Sequence, residues 1–311
     1  MENRIYDMIV VGGGPGGYTA ALYAARAGLD TLVIEQLYAG GQMAQTHKID
    51  NYPGFPEGID GFSLAQQMEQ QAKQFGVNTA NTRVKQLQLE GQLKRIETED
   101  GSFLARAVVI ATGATPRKLG LPREQELTGR GVAYCAACDG MFNRGKTVAV
   151  VGGGNSAVAE ALLLSRVAQK VILIHRKDTL RAEKLYHAQL EERENIEFRW
   201  NTRVAALLGE EKLTDLRLQN VNTAEEEELR CDGVFVSIGR VPASELVRHQ
   251  LELDENGYIP AGEDTATGIP GVYAVGDVRT KRLRQIVTAV ADGAVAAHEA
   301  QVYLSQIGGE K

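Results

Sequence analysis

The chain is short of the features that mark most special classes of protein. Three cysteines in 311 residues are too few for a disulfide scaffold. Only 8 prolines and the lack of any low-complexity tract exclude collagen-like and proline-rich architectures. No run of about 18 apolar residues occurs, and residues 1–6 hold no apolar segment of a secretory leader, so the sequence predicts a cytoplasmic chain without a membrane anchor. A basic excess is missing too: 34 Lys and Arg stand against 40 Asp and Glu, a net charge of −6. That leaves no field for a phosphate backbone and argues against nucleic acid as a partner. The histidines at 47, 175, 187, 249 and 298 are scattered and Cys231 is alone, which predicts no metal site.

Glycine is abundant: 34 residues with no repeating period, which points to tight turns where backbone must approach something closely. The length predicts two domains, each large enough for its own core.

The apolar run Met8 to Val11 leads into Gly12-Gly13-Gly14-Pro15-Gly16-Gly17, followed by an Ala-rich stretch to Ala27 that Gly28 closes, then the apolar run Thr31 to Ile34 ending in Glu35. This reads as strand, glycine turn, helix, strand. The pattern returns at a constant offset of 140 residues: Val148 to Val151, then Gly152-Gly153-Gly154, Ala157 where Gly17 stood, Ala161-Leu162 for Ala21-Leu22, and Val171 to Ile174. Glu35 falls on His175, followed by Arg176 and Lys177. The first glycine of such a turn makes the bend, the second admits a pyrophosphate to the helix N-terminus, and the third lets helix pack on strand. Gly12, Gly14 and Gly17 meet these needs, and Glu35 is placed to accept from both hydroxyls of an adenosine ribose. At the second turn, Gly152, Gly154 and Ala157 are followed by cations instead. A carboxylate repels a 2′-phosphate, whereas Arg176 can clamp it, with Arg181 adding a second clamp and Lys177 a charge. Opposite ribose chemistry in one chain points to FAD at the first site and NADPH at the second, a flavin-mediated hydride relay.

Elsewhere the periodicity predicts a long loop over 39–61, helices over 62–75, 183–194 and 285–304, and strands over 82–89, 94–98, 107–110, 196–207, 213–220 and 233–238. A further strand over 271–278 enters Gly276-Asp277, and Glu225 to Glu228 read as a solvated hairpin loop. The electron acceptor is Cys135-Ala136-Ala137-Cys138-Asp139. Thiols at this spacing can close a small disulfide ring that accepts two electrons from a reduced flavin, and Asp139 adjoins the second thiol as a candidate acid/base. Cys231, at the edge of an apolar strand, reads as core.

These residues resemble those of the low-molecular-weight bacterial thioredoxin reductases over essentially the whole chain. The likeness is carried by Gly12 to Ala20, Gly40-Gly41-Gln42, Asn51-Tyr52-Pro53-Gly54, Ala111-Thr112-Gly113-Ala114, Cys135 to Gly140, Gly152 to Ala157 with Asn155 and Ser156, His175 to Arg181, Gly276-Asp277 and Arg284-Gln285. The resemblance implies an α/β fold of two Rossmann-like, three-layer ββα dinucleotide-binding domains. The NADPH domain, residues 115–243, would carry the dithiol and be inserted in a discontinuous FAD domain, residues 1–114 and 244–311. It implies that Cys138 faces the flavin, that Cys135 exchanges with thioredoxin, and that Asp139 is the acid/base. It further implies that Gln42, Asn51, Asp277 (ribityl chain) and Gln285 (ring edge) contact FAD, with Pro15, Gly41, Ala111, Gly113 and Arg284 in the same site. The chain would be a homodimer whose inserted domain rotates about linkers near 114–118 and 240–244, so that dithiol and NADPH alternate at the flavin. Lys177 departs from the family's second arginine, which weakens the fork that selects NADPH. Two other readings keep the flavin fold, with ferredoxin as donor or with another thioredoxin-like or peroxiredoxin partner. Retention of both the dithiol and Arg176 with Arg181 argues against the ferredoxin relatives, and a first strand starting at Ile5 leaves no room for the extension typical of the peroxiredoxin-linked ones. A non-enzymatic redox sensor has no need of a dithiol beside FAD.

Overall fold

The structure, a computed structural model, describes residues 4–36, 38–46, 49–183, 189–190 and 192–308. Half of the helix expected over 183–194, its residues 184–188 and 191, lies outside the described residues, as do His47 and His187. Two compact units divide the chain, one built from its two ends up to Thr115 and from Val241, the other from Pro116–Arg240.

In the first unit the apolar runs become parallel strands. β1 (Ile5–Val11) leads through the glycine turn to α1 (Pro15–Arg26), and β2 (Thr31–Glu35) pairs beside β1. Pro15 at the first helical position costs no hydrogen bond there, and Gly28, with φ +82°, ends the helix in the left-handed conformation glycine tolerates. The long stretch over 39–61 is not wholly irregular: Met43–Gln45 form a 3-10 turn, and Ile49 and Ile59 bridge across it. Then come α2 (Gly61–Gln74), capped by Asp60 accepting from Ser63 N, and β3 (Asn78–Asn81), β4 (Val84–Gln88), β5 (Lys94–Thr98) and β6 (Ser102–Ile110). The sheet runs β3-β2-β1-β6-β5-β4. Its β6 pairs β1 in parallel along most of its length, while β5 and β4 add an antiparallel ribbon. The chain crosses to the second unit at β7 (Ala114–Pro116).

The second unit repeats the plan with α3 (Glu124–Leu127), β8 (Val132–Ala133), α4 (Ala136–Asp139), β9 (Thr147–Val151), α5 (Asn155–Leu164), β10 (Lys170–Ile174) and β11 (Ile196–Arg199). It continues with β12 (Thr202–Leu208), β13 (Asp215–Asn220), β14 (Glu226–Arg230) and β15 (Gly233–Val236). A parallel sheet β11-β10-β9-β15-β8 stands with an antiparallel sheet β12-β13-β14. The chain returns through β16 (Arg240–Pro242), adds β17 (Val272–Ala274) in parallel to the end of β6, and finishes in α6 (Ile286–Gly308).

Two expectations fail in detail. The single strand expected over 196–207 breaks at Trp200 and Asn201, which has φ +51°, and its halves join different sheets; periodicity cannot see a two-residue corner between equally apolar strands. The acidic run is not a loop either: the turn falls at 221–223 and Glu226 to Glu228 lie in β14. There Glu228 meets Arg217 of the neighbouring β13 at 3.2 Å and Glu227 meets Arg199 of β11 at 3.1 Å, so cations from both sheets face the run.

Each unit's parallel sheet is buried on both faces. In the first, Met8, Val10, Val33 and Val109 pack under α1, α2 and α6, and Ile9, Ile34, Val108 and Ile110 pack on the other side. In the second, Val148, Val150, Leu173 and Phe235 face α5, while Ala149, Ile172, Val234 and Cys231 face the antiparallel sheet.

Candidate active site

In both units the order of strands reverses beside the strand that feeds the glycine turn, which is where open α/β sheets bind ligands. At the first reversal Ala111 N donates to Val11 O at 2.8 Å, and Ala111 O lies so close to Gly12 (φ +108°) that a Cβ there would stand 2.4 Å from it. A Cβ on Gly17 would meet Gly12 O at 2.0 Å, whereas one on Gly14 would meet nothing within 4 Å. Gly12 and Gly17 are thus required by packing, and Gly14 opens onto space at the start of α1. The loop at 40–41 closes the other side: Gly40 N donates to Gly13 O at 2.7 Å, and Gly41 approaches Gly14 Cα. An open cradle of backbone at a helix N-terminus fits the pyrophosphate of a dinucleotide. Glu35 ends β2 beside it, its carboxylate accepting from Gly13 N at 2.6 Å and Gln36 N at 2.7 Å.

The C-terminal residues reach the same turn. Gly16 packs on Val275 and Ala289, and Gly276 N donates to Asp292 at 2.9 Å, which places Asp277 at the end of β17 near the start of α6. Gln285 precedes that helix and accepts from Asn51 Nδ2 at 3.0 Å. Arg284 stacks on Tyr258 with its guanidinium carbon 4.1 Å from the ring centre. Gln42 is exposed before the 3-10 turn, and Gly113 (φ +74°) accepts at its carbonyl from Ala243 N. Sequence reasoning missed Asp292, which holds Arg279 at 3.0 Å and Lys281 at 2.6 Å in a nearly buried cluster under this turn; its helix context gave no signal.

The second turn copies the first. Gly152 lies against Ser237 O, where a Cβ would come within 2.3 Å, and Gly154 again opens onto space. Ser237 N donates to Val151 O at 2.8 Å, so Ser237 is the counterpart of Ala111, an equivalence hidden because their separation departs from the common offset. Where Glu35 met Gly13, the ring of His175 lies against Gly153, buried at 5% exposure. Burial first, and then the charges of Arg181 and Arg176, hold its pKa below the usual value. His175 is therefore neutral at neutral pH, and the site's positive charge rests on Arg176, Lys177 and Arg181. These three are exposed and have no acidic partner among the described residues, while Arg181 N donates to Gly153 O at 2.7 Å. Asn155 exchanges hydrogen bonds with Glu183, both at 2.9 Å, and Ser156 is exposed on the first turn of α5. The open backbone and exposed cations fit a nucleotide phosphate.

Cys135 and Cys138 are joined in a disulfide with Cα atoms 5.3 Å apart, at the start of α4. Cys138 N and Asp139 N both donate to Cys135 O, at 3.2 and 3.0 Å, which pins the ring's backbone. Both cysteines and Asp139 are half-buried, and burial raises the Asp139 pKa. Met141 and Phe142 follow at 52% and 46% exposure. A residue the sequence did not single out lies behind: Glu160 of α5, whose carboxyl faces Ala136 N–H, Ser237 and Asp139. Cys231 is buried, and its thiol is pushed up to about 12, which makes it inert.

Two phosphate cradles and a closed dithiol define a nucleotide-dependent disulfide oxidoreductase. Residues 6–293 match the Pyridine nucleotide-disulphide oxidoreductase family, and the chain belongs to that family. Within it, the chain is 44% identical over 307 residues to a thioredoxin reductase of Bacillus subtilis, covering 98% of this chain and 97% of the relative. It is 45% identical over 306 residues to a thioredoxin reductase of Mycolicibacterium smegmatis, covering 98% of each. Among solved structures, the thioredoxin reductase of Streptococcus pyogenes superposes with a TM-score of 0.90 at 42% identity, covering 98% of this chain and 100% of that one. That of Lactococcus lactis, in its FR conformation, gives 0.69, also at 42% identity, covering 97% and 99%.

Proposed function

We propose that the protein carries electrons from NADPH through FAD to the Cys135–Cys138 disulfide, and from the resulting dithiol to the disulfide of thioredoxin. The observation that carries this reading is the closed dithiol, half-buried, beside a carboxyl of raised pKa and in the same unit as a glycine turn flanked by exposed cations. The unit built from the chain's two ends is the FAD domain. Gly12, Gly14, Pro15, Gly17, Gly41, Ala111 and Gly113 shape its cradle, Glu35 binds the ribose, and Gln42, Asn51, Asp277, Arg284 and Gln285 lie toward the flavin. The unit between them is the NADPH domain, with Gly152, Gly154, Asn155, Ser156 and Ala157 at the pyrophosphate and His175, Arg176, Lys177 and Arg181 at the 2′-phosphate. The flavin, when bound, supplies two-electron exchange between nicotinamide and disulfide.

This chain's residues then perform the exchange. The Cys135 thiolate attacks one sulfur of the partner disulfide and expels the other as a thiol. Cys138 attacks the Cys135 sulfur of the mixed disulfide, expelling the partner's second thiol and restoring the ring. Asp139 takes and returns the proton that each thiol must lose or gain. The inserted domain turns about its two crossings between the half-reactions. In support, two solved relatives equally identical to this chain match it at 0.90 and 0.69, so those two structures differ from each other by more than local detail. The working state is a homodimer in the cytoplasm.

The test is to purify the protein, record its visible spectrum, and measure reduction of a thioredoxin disulfide with NADPH and NADH separately, with Cys138→Ser as control. The expected result is a flavin spectrum, preference for NADPH and no turnover by the variant. A colourless protein, or full turnover by Cys138→Ser, overturns the reading.

A further inference from the structure

Arg176 and Lys177 stand on the loop that begins where β10 ends, and both are exposed. The path of the backbone beneath them therefore sets where their charges stand. One side of that path is held by the corner between β11 and β12. His175 N donates to Arg199 O at 2.9 Å, Asn201 N donates to Lys177 O at 3.1 Å, and Thr202 N donates to His175 O at 3.0 Å. The corner is itself braced from the turn between β13 and β14, where Val221 N donates to Asn201 O at 2.7 Å. Trp200 adds a side-chain contact, its ring stacked on Phe198 with centroids 4.9 Å apart and edge-on to His175 at 6.4 Å.

The first unit reaches the matching place with one residue fewer. There Ile34 pairs with Ala80, and Thr82, two residues on, donates its N–H to Glu35 O at 3.0 Å. In the second unit Ile174 pairs with Arg199, and Thr202, three residues on, donates to His175 O. The added residue makes a bulge of the kind that re-aims backbone beside a site. Asn201 lies in it with φ +51°, in the left-handed region that asparagine enters far more readily than a β-branched residue. The residue so placed is the one whose N–H holds Lys177 O.

We propose that Asn201 is a positioning residue for nucleotide selectivity: its left-handed bulge holds the backbone of His175 to Lys177 where Arg176 and Lys177 meet a 2′-phosphate. This rests on the NADPH site of the proposed function. Asn201 acts through the loop and not by touching the nucleotide. A residue that resists the left-handed region relaxes the bulge, releases Lys177 O and moves the cations. The glycine turn and the start of α5, which take the pyrophosphate, are held by other bonds and stay in place. The loss is then confined to nucleotides that carry a 2′-phosphate.

The test is calorimetric titration of the holoenzyme with adenosine 2′,5′-bisphosphate and with 5′-AMP, which differ only in the 2′-phosphate. Wild type is expected to bind the bisphosphate at least about tenfold more tightly, through charge-assisted contacts to that group. Asn201→Gly, which adopts the same φ without strain, keeps this ratio within about twofold. Asn201→Val weakens binding of the bisphosphate about tenfold and leaves 5′-AMP within about twofold of wild type. Should the valine variant not fold, Asn201→Ala takes its place, with a loss of about threefold. Three results overturn the proposal: a wild-type ratio in the strained variant, an equal loss of both ligands, or a loss in Asn201→Gly as large as in the strained variant. A wild type that binds both ligands alike overturns the NADPH assignment itself, and the proposal falls with it.

Discussion

Arg176, Lys177 and Arg181 share a sign and a neighbourhood but not a geometry. A guanidinium offers paired donors to a phosphate, while an ammonium offers a point charge. His175, held neutral beside Gly153 by burial and by the arginines themselves, contributes shape rather than charge. Removing one charge-assisted contact costs about 1.5–3 kcal/mol, so Arg176→Ala is expected to raise the KM for NADPH by roughly 10- to 100-fold while leaving kcat and the KM for NADH nearly unchanged. Steady-state kinetics with both nucleotides checks this; an equal loss with NADH places Arg176 elsewhere. Most of these residues were legible in the sequence, because in such a unit the ribose-side residues stand at the end of the second strand, about 20 residues beyond the glycine turn. Glu160 was not, since a glutamate on a helix looks solvated until the opposite face is known. Nor was Asp292, whose partners Arg279 and Lys281 come from a loop whose path no periodicity records.

At the scale of the element, the two strand-turn-helix units differ at one informative position. Gly17 has no room for a methyl group against Gly12 O, whereas Ala157 already carries one, lying near Gly152. The glycines of one turn therefore divide between fold and ligand. Gly17→Ala must displace α1 from β1, and an overpacked core position costs about 1–3 kcal/mol. Gly14 has φ −74° and open space where its Cβ would go, so Gly14→Ala is expected to keep the apoprotein's thermal midpoint but lower flavin content, because the methyl group occupies the cradle. Thermal unfolding of flavin-stripped protein, set against the flavin-to-protein ratio as purified, separates the two effects; a Gly14→Ala apoprotein as destabilised as Gly17→Ala contradicts the division. The 140-residue offset showed both units because sterics fix the spacing from strand to turn to helix. It could not show that Ala111 and Ser237 occupy equivalent places, since the ribbons and loops between β2 and β6 and between β10 and β15 vary in length. It was equally blind to the corner at Trp200 and Asn201, where the apolar alternation runs on from one strand into the next.

For the whole molecule, the decisive fact is that the chain leaves the first unit at β7 and returns at β16, so one unit is tethered to the other by two strands of three residues each. On the first unit's side, Thr112 Oγ1 donates to Ala243 O at 2.6 Å and Ala243 N donates to Gly113 O at 2.9 Å; on the second's side, Arg117 N donates to Gly239 O at 2.9 Å. Each end of the double tether is thus anchored within its own unit, and the two short strands between pair with each other. The rotation proposed above, by which NADPH and the disulfide take turns at the flavin and the exchanging thiol then meets another protein, requires these two crossings to move. A reducible crosslink joining the segments 114–118 and 240–244 is expected to lower kcat at least about tenfold, on the premise that the domain step then limits the rate. FAD should stay bound, because the cradle proposed for it lies wholly in the first unit, and cleaving the crosslink should restore the rate. Unchanged turnover by the crosslinked enzyme means that one arrangement serves both half-reactions, and the double tether is then only a covalent connection.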